Sequence, residues 1–207
     1  GTTDYGDYNI LVLEHLAQIA EPARAFDVAA ILPHWMNRFE NNWGSWICTM
    51  TKETYAQVKE GRPVASLGGI SNAMAIRHVG GYAYYDSEEE IADLARKTMF
   101  THRSEEALSG GEFFARVTHR VINGEHPRDA IENVAVRMSE FIQKKVAQAI
   151  AKVNEVEDEN SALSKEKFAD DLAVTSMARL WDIGRSEPIR VGKASPTEGT
   201  LPSSVYF

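Results

Sequence analysis

Residues 68–77 read GGISNAMAIR, a stretch that combines a glycine pair with small polar side chains and an arginine. A glycine has no Cβ, so its backbone can come close to a ligand. Ser and Asn side chains can bond hydroxyl groups, and Arg can pair with a phosphate. The stretch therefore predicts a sugar-phosphate cradle, although it is also typical of a helix-capping turn whose Asn and Arg serve only structure. The candidate ligand contacts are Gly68, Gly69, Ser71, Asn72 and Arg77.

A second polar pair, Thr101-His102, follows this loop further along the chain. His102 is a candidate ligand contact. The alternative is a histidine that forms hydrogen bonds at the end of a helix.

Composition limits the classes of protein that this chain can be. Its 207 residues are 43% hydrophobic, enough for one core and one domain, over residues 1–207. A formal charge of -8 argues against a nucleic-acid partner. Cys48 is the only cysteine, which excludes an internal disulfide and favours an intracellular, cytoplasmic location. No apolar run approaches the roughly 20 residues that cross a bilayer, so no membrane partner is expected.

Apolar side chains recur every three to four residues through most of the chain, which predicts helices. We find no strand alternation, so the predicted class is all-α. Ser87 and Glu90 form a capping-box pattern, and Gly124 follows a helix predicted over 105–123. From Pro127 the periodicity predicts one helix of about thirty residues. A loop is expected after Gly184, as far as Pro202.

Several short motifs occur in an order that resembles the ADP-ribosylglycohydrolase family. More closely, the order is similar to its branch of J-type crystallins, in which Tyr-Gly-Asp replaces a metal-binding Thr-Asp-Asp-Thr. The motifs are Tyr5-Gly6-Asp7, the aromatic-rich stretch 35–61, the loop 68–77, Thr101-His102, and Thr200-Leu201-Pro202-Ser203.

The resemblance implies an all-α fold. It also implies two magnesium ions, held by an early and a late aspartate cluster, that orient ADP-ribose and a water for hydrolysis. Carried over by position, Asp7 matches one early metal ligand, whereas Tyr8 falls at the cluster's final Thr. Gly68, Gly69, Asn72 and Arg77 match the ligand loop, in which Ala73 replaces a common glycine, and His102 matches an adenosine-side histidine. The late cluster would lie beyond Phe207. The fold is therefore expected to be incomplete here, lacking its N-terminal helix and C-terminal part.

Two functions follow from this pattern. The eroded metal cluster favours a structural or scaffolding protein that works with protein partners or in a larger assembly. The alternative is an active magnesium-dependent hydrolase that releases ADP-ribose. Asp7 could instead be the N-cap of the helix that follows it. Asp4 could supply a second metal ligand only if the turn between them were helical, which we do not expect.

Overall fold

The computed structural model describes residues 3–19, 25–41, 43, 46–69, 75–158, 160 and 197–206. These parts of the chain form eight α-helices and two short 3₁₀ helices, and they contain no strand. The all-α prediction is therefore confirmed. The α-helices are α1 (Asp4–Gln18), α2 (Val28–Asn41), α3 (Thr49–Lys59), α4 (Glu88–Thr98), α5 (Glu105–Ile122), α6 (Pro127–Ala135), α7 (Glu140–Glu157) and α8 (Thr197–Tyr206). The 3₁₀ helices are Val64–Ser66 and Val79–Ala83.

Short polar side chains and glycines set several helix ends, as the sequence predicted. The Ser87 hydroxyl accepts the Glu90 N–H, and the Glu90 carboxylate accepts the Ser87 N–H, which completes the capping box of α4. After α5, Gly124 takes a φ of 94°, a left-handed conformation that suits glycine.

The long helix predicted from Pro127 is wrong in one respect, because it is two helices. A turn at Val136–Ser139 separates α6 from α7, and the Ser139 hydroxyl accepts the Ile142 N–H to begin α7. The apolar period continues through the break because both helices pack on one apolar cluster, through Val134 and Ile142.

The prediction that the loop after Gly184 extends as far as Pro202 is also wrong. Residues 197–206 form α8, in which Leu201 and Pro202 are buried. Leu201 is fully buried in the cluster that α6 and α7 share, so burial of this side chain favours the helix.

Three apolar clusters of described residues form the core, and the third consists of Ala75, Met99, Ala107 and Leu108. The first joins α1, α2 and α4, and the second joins α5 to α8. Helix α5 contributes to both, through Ala115 and Phe113 respectively. Members of the first cluster include Tyr8, Leu11, Leu16, Ile31, Trp35, Ile91, Leu94 and Phe100. The site described below lies where the first cluster meets the residues that follow α4.

Ion pairs join α4 to α5 and to the turn after α6. Glu88 in the first turn of α4 accepts hydrogen bonds from Arg116, Arg120 and Arg137, at 2.8 to 3.1 Å. Burial raises the pKa of Glu88, but hydrogen bonds from Arg116 and Arg120 outweigh it, and the net pKa is lowered.

No helix in the described ranges is long and apolar enough to cross a membrane.

Candidate functional site

The first turns of α1 carry two buried carboxylates. Thr3 is the N-cap, since its hydroxyl accepts the Gly6 N–H, so the interpretation of Asp7 as the N-cap is wrong. The turn from Asp4 to Asp7 is helical, contrary to expectation, because the cap begins α1 before Asp4. Residues three apart in a helix share a face. Asp4 is 8% exposed and Asp7 is 3% exposed, so the shared face is the buried one.

A cation from α2 pairs with Asp7. The Arg38 guanidinium lies 3.3 Å from the Asp7 carboxylate and 3.1 Å from that of Glu14. Among the described residues, no group of three or more His, Cys, Asp or Glu side chains could hold a metal ion. Mg²⁺ requires several oxygen ligands in near-octahedral geometry. The described residues bring only Asp4 and Asp7 together here, and the assignment of Asp7 as a metal ligand stays a prediction.

Tyr8, at the position of the family's final Thr, is fully buried. Its hydroxyl lies 3.0 Å from the Thr51 hydroxyl and accepts a hydrogen bond of 3.3 Å from the Trp35 indole N–H. Its ring meets Trp43 edge-on, with centroids 4.9 Å apart. Burial raises the pKa of Tyr8, so the phenol is neutral. This side chain is part of the aromatic core.

Arg77 is also fully buried, and its charge lies against the Tyr8 ring. The guanidinium carbon is 3.3 Å from the ring centroid. One Nη donates to the Thr98 carbonyl at 3.0 Å and the other to the Thr101 hydroxyl at 2.6 Å. Burial lowers the pKa of Arg77. The structure shows Arg77 joining α1 to the residues after α4, and its phosphate-binding role stays a prediction.

His102 is connected to Arg77 through Thr101. Its Nδ1 lies 2.7 Å from the Thr101 hydroxyl, which also accepts from Arg77. The Thr101 hydroxyl can then donate its own hydrogen bond to Nδ1. In that arrangement Nδ1 is the acceptor, and the ring proton of His102 is on Nε2. Burial, and then the charge of Arg77, lower the pKa of His102 to about 3. His102 is therefore a neutral imidazole, 2% exposed.

The glycine pair lies against the same segment. Gly68 has a φ of 92°, and a Cβ added there would lie 2.7 to 2.9 Å from backbone atoms of Thr101, His102 and Arg103. Gly69 donates to the Thr101 carbonyl at 3.2 Å and accepts from the Ser104 N–H at 3.0 Å. The close approach that glycine permits is thus to the protein's own backbone. A ligand contact here stays a prediction.

Ser71 and Asn72 lie outside the described residues. Among the others, the structure brings together Gly68, Gly69, Arg77 and His102, with Thr101 at the centre. Sequence reasoning missed the roles of Thr101 and Arg38. Thr101 carried a signal, its place beside His102, whereas no local pattern linked Arg38 to Asp7.

A comparison with models of protein families identifies the family of this chain. The model of the ADP-ribosylglycohydrolase family matches residues 1–193. The chain belongs to the ADP-ribosylglycohydrolase family. No curated protein and no solved structure matches it. The family assignment and the all-helical structure agree with each other, and Asp7, Tyr8, Arg77 and His102 all lie within the matched range.

Proposed function

We propose that this ADP-ribosylglycohydrolase-family chain is a structural or scaffolding protein of the crystallin-like branch, and that it does not hydrolyse ADP-ribosyl bonds. The observation that carries the proposal is the ion pair between the buried Asp7 and the partly buried Arg38, 3.3 Å apart. Asp7 is the one residue of Tyr5-Gly6-Asp7 that keeps a carboxylate. Pairing with a resident guanidinium opposes metal binding, because a cation already balances its charge.

Tyr8 supports the same proposal. The family position calls for a small hydroxyl that can ligate a metal. Here the phenol is bonded to Thr51 and Trp35, and its ring is covered by Arg77. A ligand role for Tyr8 would require these interior contacts to break.

The direct test is hydrolysis of ADP-ribosylated proteins and small molecules by the full protein, with and without Mg²⁺. We expect no magnesium-dependent release of ADP-ribose, and no rise in melting temperature with Mg²⁺. Magnesium-dependent release that is lost in Asp7→Ala would overturn the proposal.

A double-mutant cycle tests the ion pair itself. Asp7→Asn and Arg38→Gln should each destabilise the fold, because each removes one member of a partly buried ion pair. The double variant should lose less free energy of unfolding than the two single variants lose together. The coupling energy should be about 1 to 3 kcal/mol in urea unfolding. Glu14→Gln, which removes the exposed partner of Arg38, is the control and should cost under about 1 kcal/mol. A coupling energy near zero would refute the pairing role.

The second candidate function is magnesium-dependent release of ADP-ribose, and one observation favours it. Asp4 and Asp7 share the buried face of α1, which places two carboxylates together. In that case Gly68, Gly69 and His102 would contact ADP-ribose. Arg38→Gln would then remove the competing guanidinium from Asp7 and strengthen stabilisation by Mg²⁺, an effect that a purely structural pair does not predict.

A scaffolding role also implies assembly with protein partners or further copies, and the lone Cys48 supports an intracellular setting. Exposed apolar side chains support an interface, since Leu13 is 47%, Val79 52% and Trp46 74% exposed. Leu13 lies against Gly80, so it neighbours Val79. Sedimentation should detect species larger than the 23.0 kDa monomer. A monomer at every concentration would argue against self-assembly.

A further inference from the structure

Two histidine rings lie beside each other where α1 meets α2. His15 is in the last turn of α1 and His34 is within α2, and their ring centroids are 6.0 Å apart, with the planes inclined at 54°. The ring of Phe26 meets that of His15 edge-on, at 5.2 Å. His15 is 9% exposed, whereas His34 is exposed to solvent. One imidazole is therefore held in the interior, and the other lies next to it at the surface.

His15 has a buried nitrogen that lacks a partner. Its Nδ1 makes no hydrogen bond in the part of the chain that the structure describes. Such a nitrogen is unfavourable, because it loses its hydrogen bonds to water and gains none in return, and a bound ion is one explanation for it. Burial, and then the neighbouring His34, lower the pKa of His15, while the charge of Asp27 opposes them. The ring is therefore neutral at pH 7 and keeps a lone pair on one nitrogen.

The spacing of the two rings suits a shared metal ion. Zn²⁺ binds an imidazole nitrogen at about 2.0 to 2.1 Å, so an ion that two rings share places their centroids about 5 to 6 Å apart. The observed separation of 6.0 Å is at the upper end of that range. Because His34 is exposed, rotation of its side chain can bring the two lone pairs onto one ion.

An acidic side chain close to the pair favours a cation. Asp27, whose charge acts on His15, uses one carboxylate oxygen to accept the Ala29 N–H at 2.9 Å. The described residues hold no third His, Cys, Asp or Glu side chain in position to ligate, so water completes the coordination. Asp7 precedes His15 by about 12 Å along the axis of α1, which separates the pair from the family's early metal cluster.

We propose that His15 and His34 bind a divalent transition metal ion of the zinc class. Zn²⁺ accepts imidazole nitrogen readily, whereas Mg²⁺ prefers oxygen ligands. The bound ion joins the last turn of α1 to α2, and it stabilises the folded state because the unfolded chain does not hold the two rings together. Such a site is independent of the proposed function, since it requires neither Mg²⁺ nor ADP-ribose.

The test is titration calorimetry of the full protein with Zn²⁺ in the presence of excess Mg²⁺. His34→Asn removes one of two protein ligands and should weaken Zn²⁺ binding about tenfold or more, since even an outer-shell partner is typically worth that much. His34 is exposed, so this variant should fold like the parent protein. His126→Asn is the matched control, because it removes an exposed histidine at the start of α6, and it should leave the affinity unchanged.

Thermal unfolding gives a second readout. Zn²⁺ should raise the melting temperature of the parent protein and of His126→Asn, and should raise that of His34→Asn and His15→Asn much less. Without metal, His34→Asn should melt at the temperature of the parent protein. Equal Zn²⁺ affinity in the parent protein and His34→Asn would overturn the proposal and place the ion at another donor, such as Cys48. The absence of Zn²⁺ binding to the parent protein would overturn it as well.

Discussion

Arg77 holds a positive charge inside the protein by stacking on Tyr8 and donating to Thr98 and Thr101. These contacts use the planar shape of the guanidinium, which an ammonium group lacks. Arg77→Lys keeps the charge but loses the stacking on Tyr8 and the paired hydrogen bonds to Thr98 and Thr101. We expect it to lower the free energy of unfolding by about 2 kcal/mol or more, measured in urea.

The control is Arg62→Lys, because Arg62 is exposed and, among the described residues, pairs only with the nearby Glu60. That change should alter stability by less than about 0.5 kcal/mol. If the two variants were equally stable, the guanidinium of Arg77 would not be the group that holds these segments together.

At this scale the sequence predicted that Arg77 and His102 lie near each other, and their roles in binding a ligand stay predictions. Arg77 and His102 were both expected in one site, and Thr101 joins them. Their burial was not predictable from local pattern. It depends on Tyr8, which is distant in sequence and whose aromatic ring supplies the surface that an interior cation needs.

Among the elements, the segment at Gly68 packs its backbone closely against the backbone that follows α4. Gly68→Ala would force a left-handed conformation and place a Cβ within 2.7 to 2.9 Å of the backbone at Thr101–Arg103. Gly61→Ala is a matched control, since Gly61 has a φ of 73° with nothing within 4 Å of its Cβ position. Conformational strain alone should cost Gly61→Ala about 1 kcal/mol in thermal or urea unfolding.

Gly68→Ala should cost at least about 2 kcal/mol more than the control, because backbone atoms cannot move aside as a side chain can. Equal losses in the two variants would mean that the contact with Thr101–Arg103 contributes nothing to stability.

The junction of α4, α5 and the turn after α6 depends on Glu88. Glu88→Gln leaves Arg116, Arg120 and Arg137 without their shared carboxylate, and we expect it to lower the free energy of unfolding by about 1 to 3 kcal/mol. The comparison is Glu132→Gln, which removes an exposed pair with Arg128 within one helix and should cost about 0.5 kcal/mol. A loss no larger than that of Glu132→Gln would show that the network is only a surface feature.

Helix ends were predictable where the signal is local. The Ser87–Glu90 box and Gly124 act on their own backbone within a few residues. The turn before α7 was not predictable. Residues 131–153 show the same apolar period whether one helix or two helices pack on the core. Helix α8 was missed because Pro202 and small residues oppose a helix locally, and only the burial of Leu201 reveals it.

The whole molecule should lose stability in mild acid. Burial lowers the pKa of His78 to about 4 and that of His102 to about 3, whereas the unfolded chain has the ordinary value of 6.5. The unfolded state therefore binds protons first, so stability is complete above pH 6.5 and falls as the pH drops towards the folded pKa values. Between pH 7 and 5, each histidine should remove about 1 to 2 kcal/mol in urea unfolding.

The double variant His78→Asn and His102→Asn should show a much shallower decline over this range. A small slope should remain from His15, whose pKa burial and His34 also lower. His126→Asn should keep the full decline of the parent protein. A decline confined to pH below 4.5 would instead point to carboxylates such as Glu88, whose stabilising effect is lost only there.

The buried cation also constrains the order in which the chain folds. Arg77 can give up its water only when Tyr8 from the first helix and the acceptors at Thr98 and Thr101 are all in place. These groups are far apart in sequence, so the chain must close long loops before the charge gains any compensation. We therefore expect the dehydration of Arg77 to come late in folding, after the local helices have formed. Until then the ionised side chain opposes collapse of the half-formed core around it.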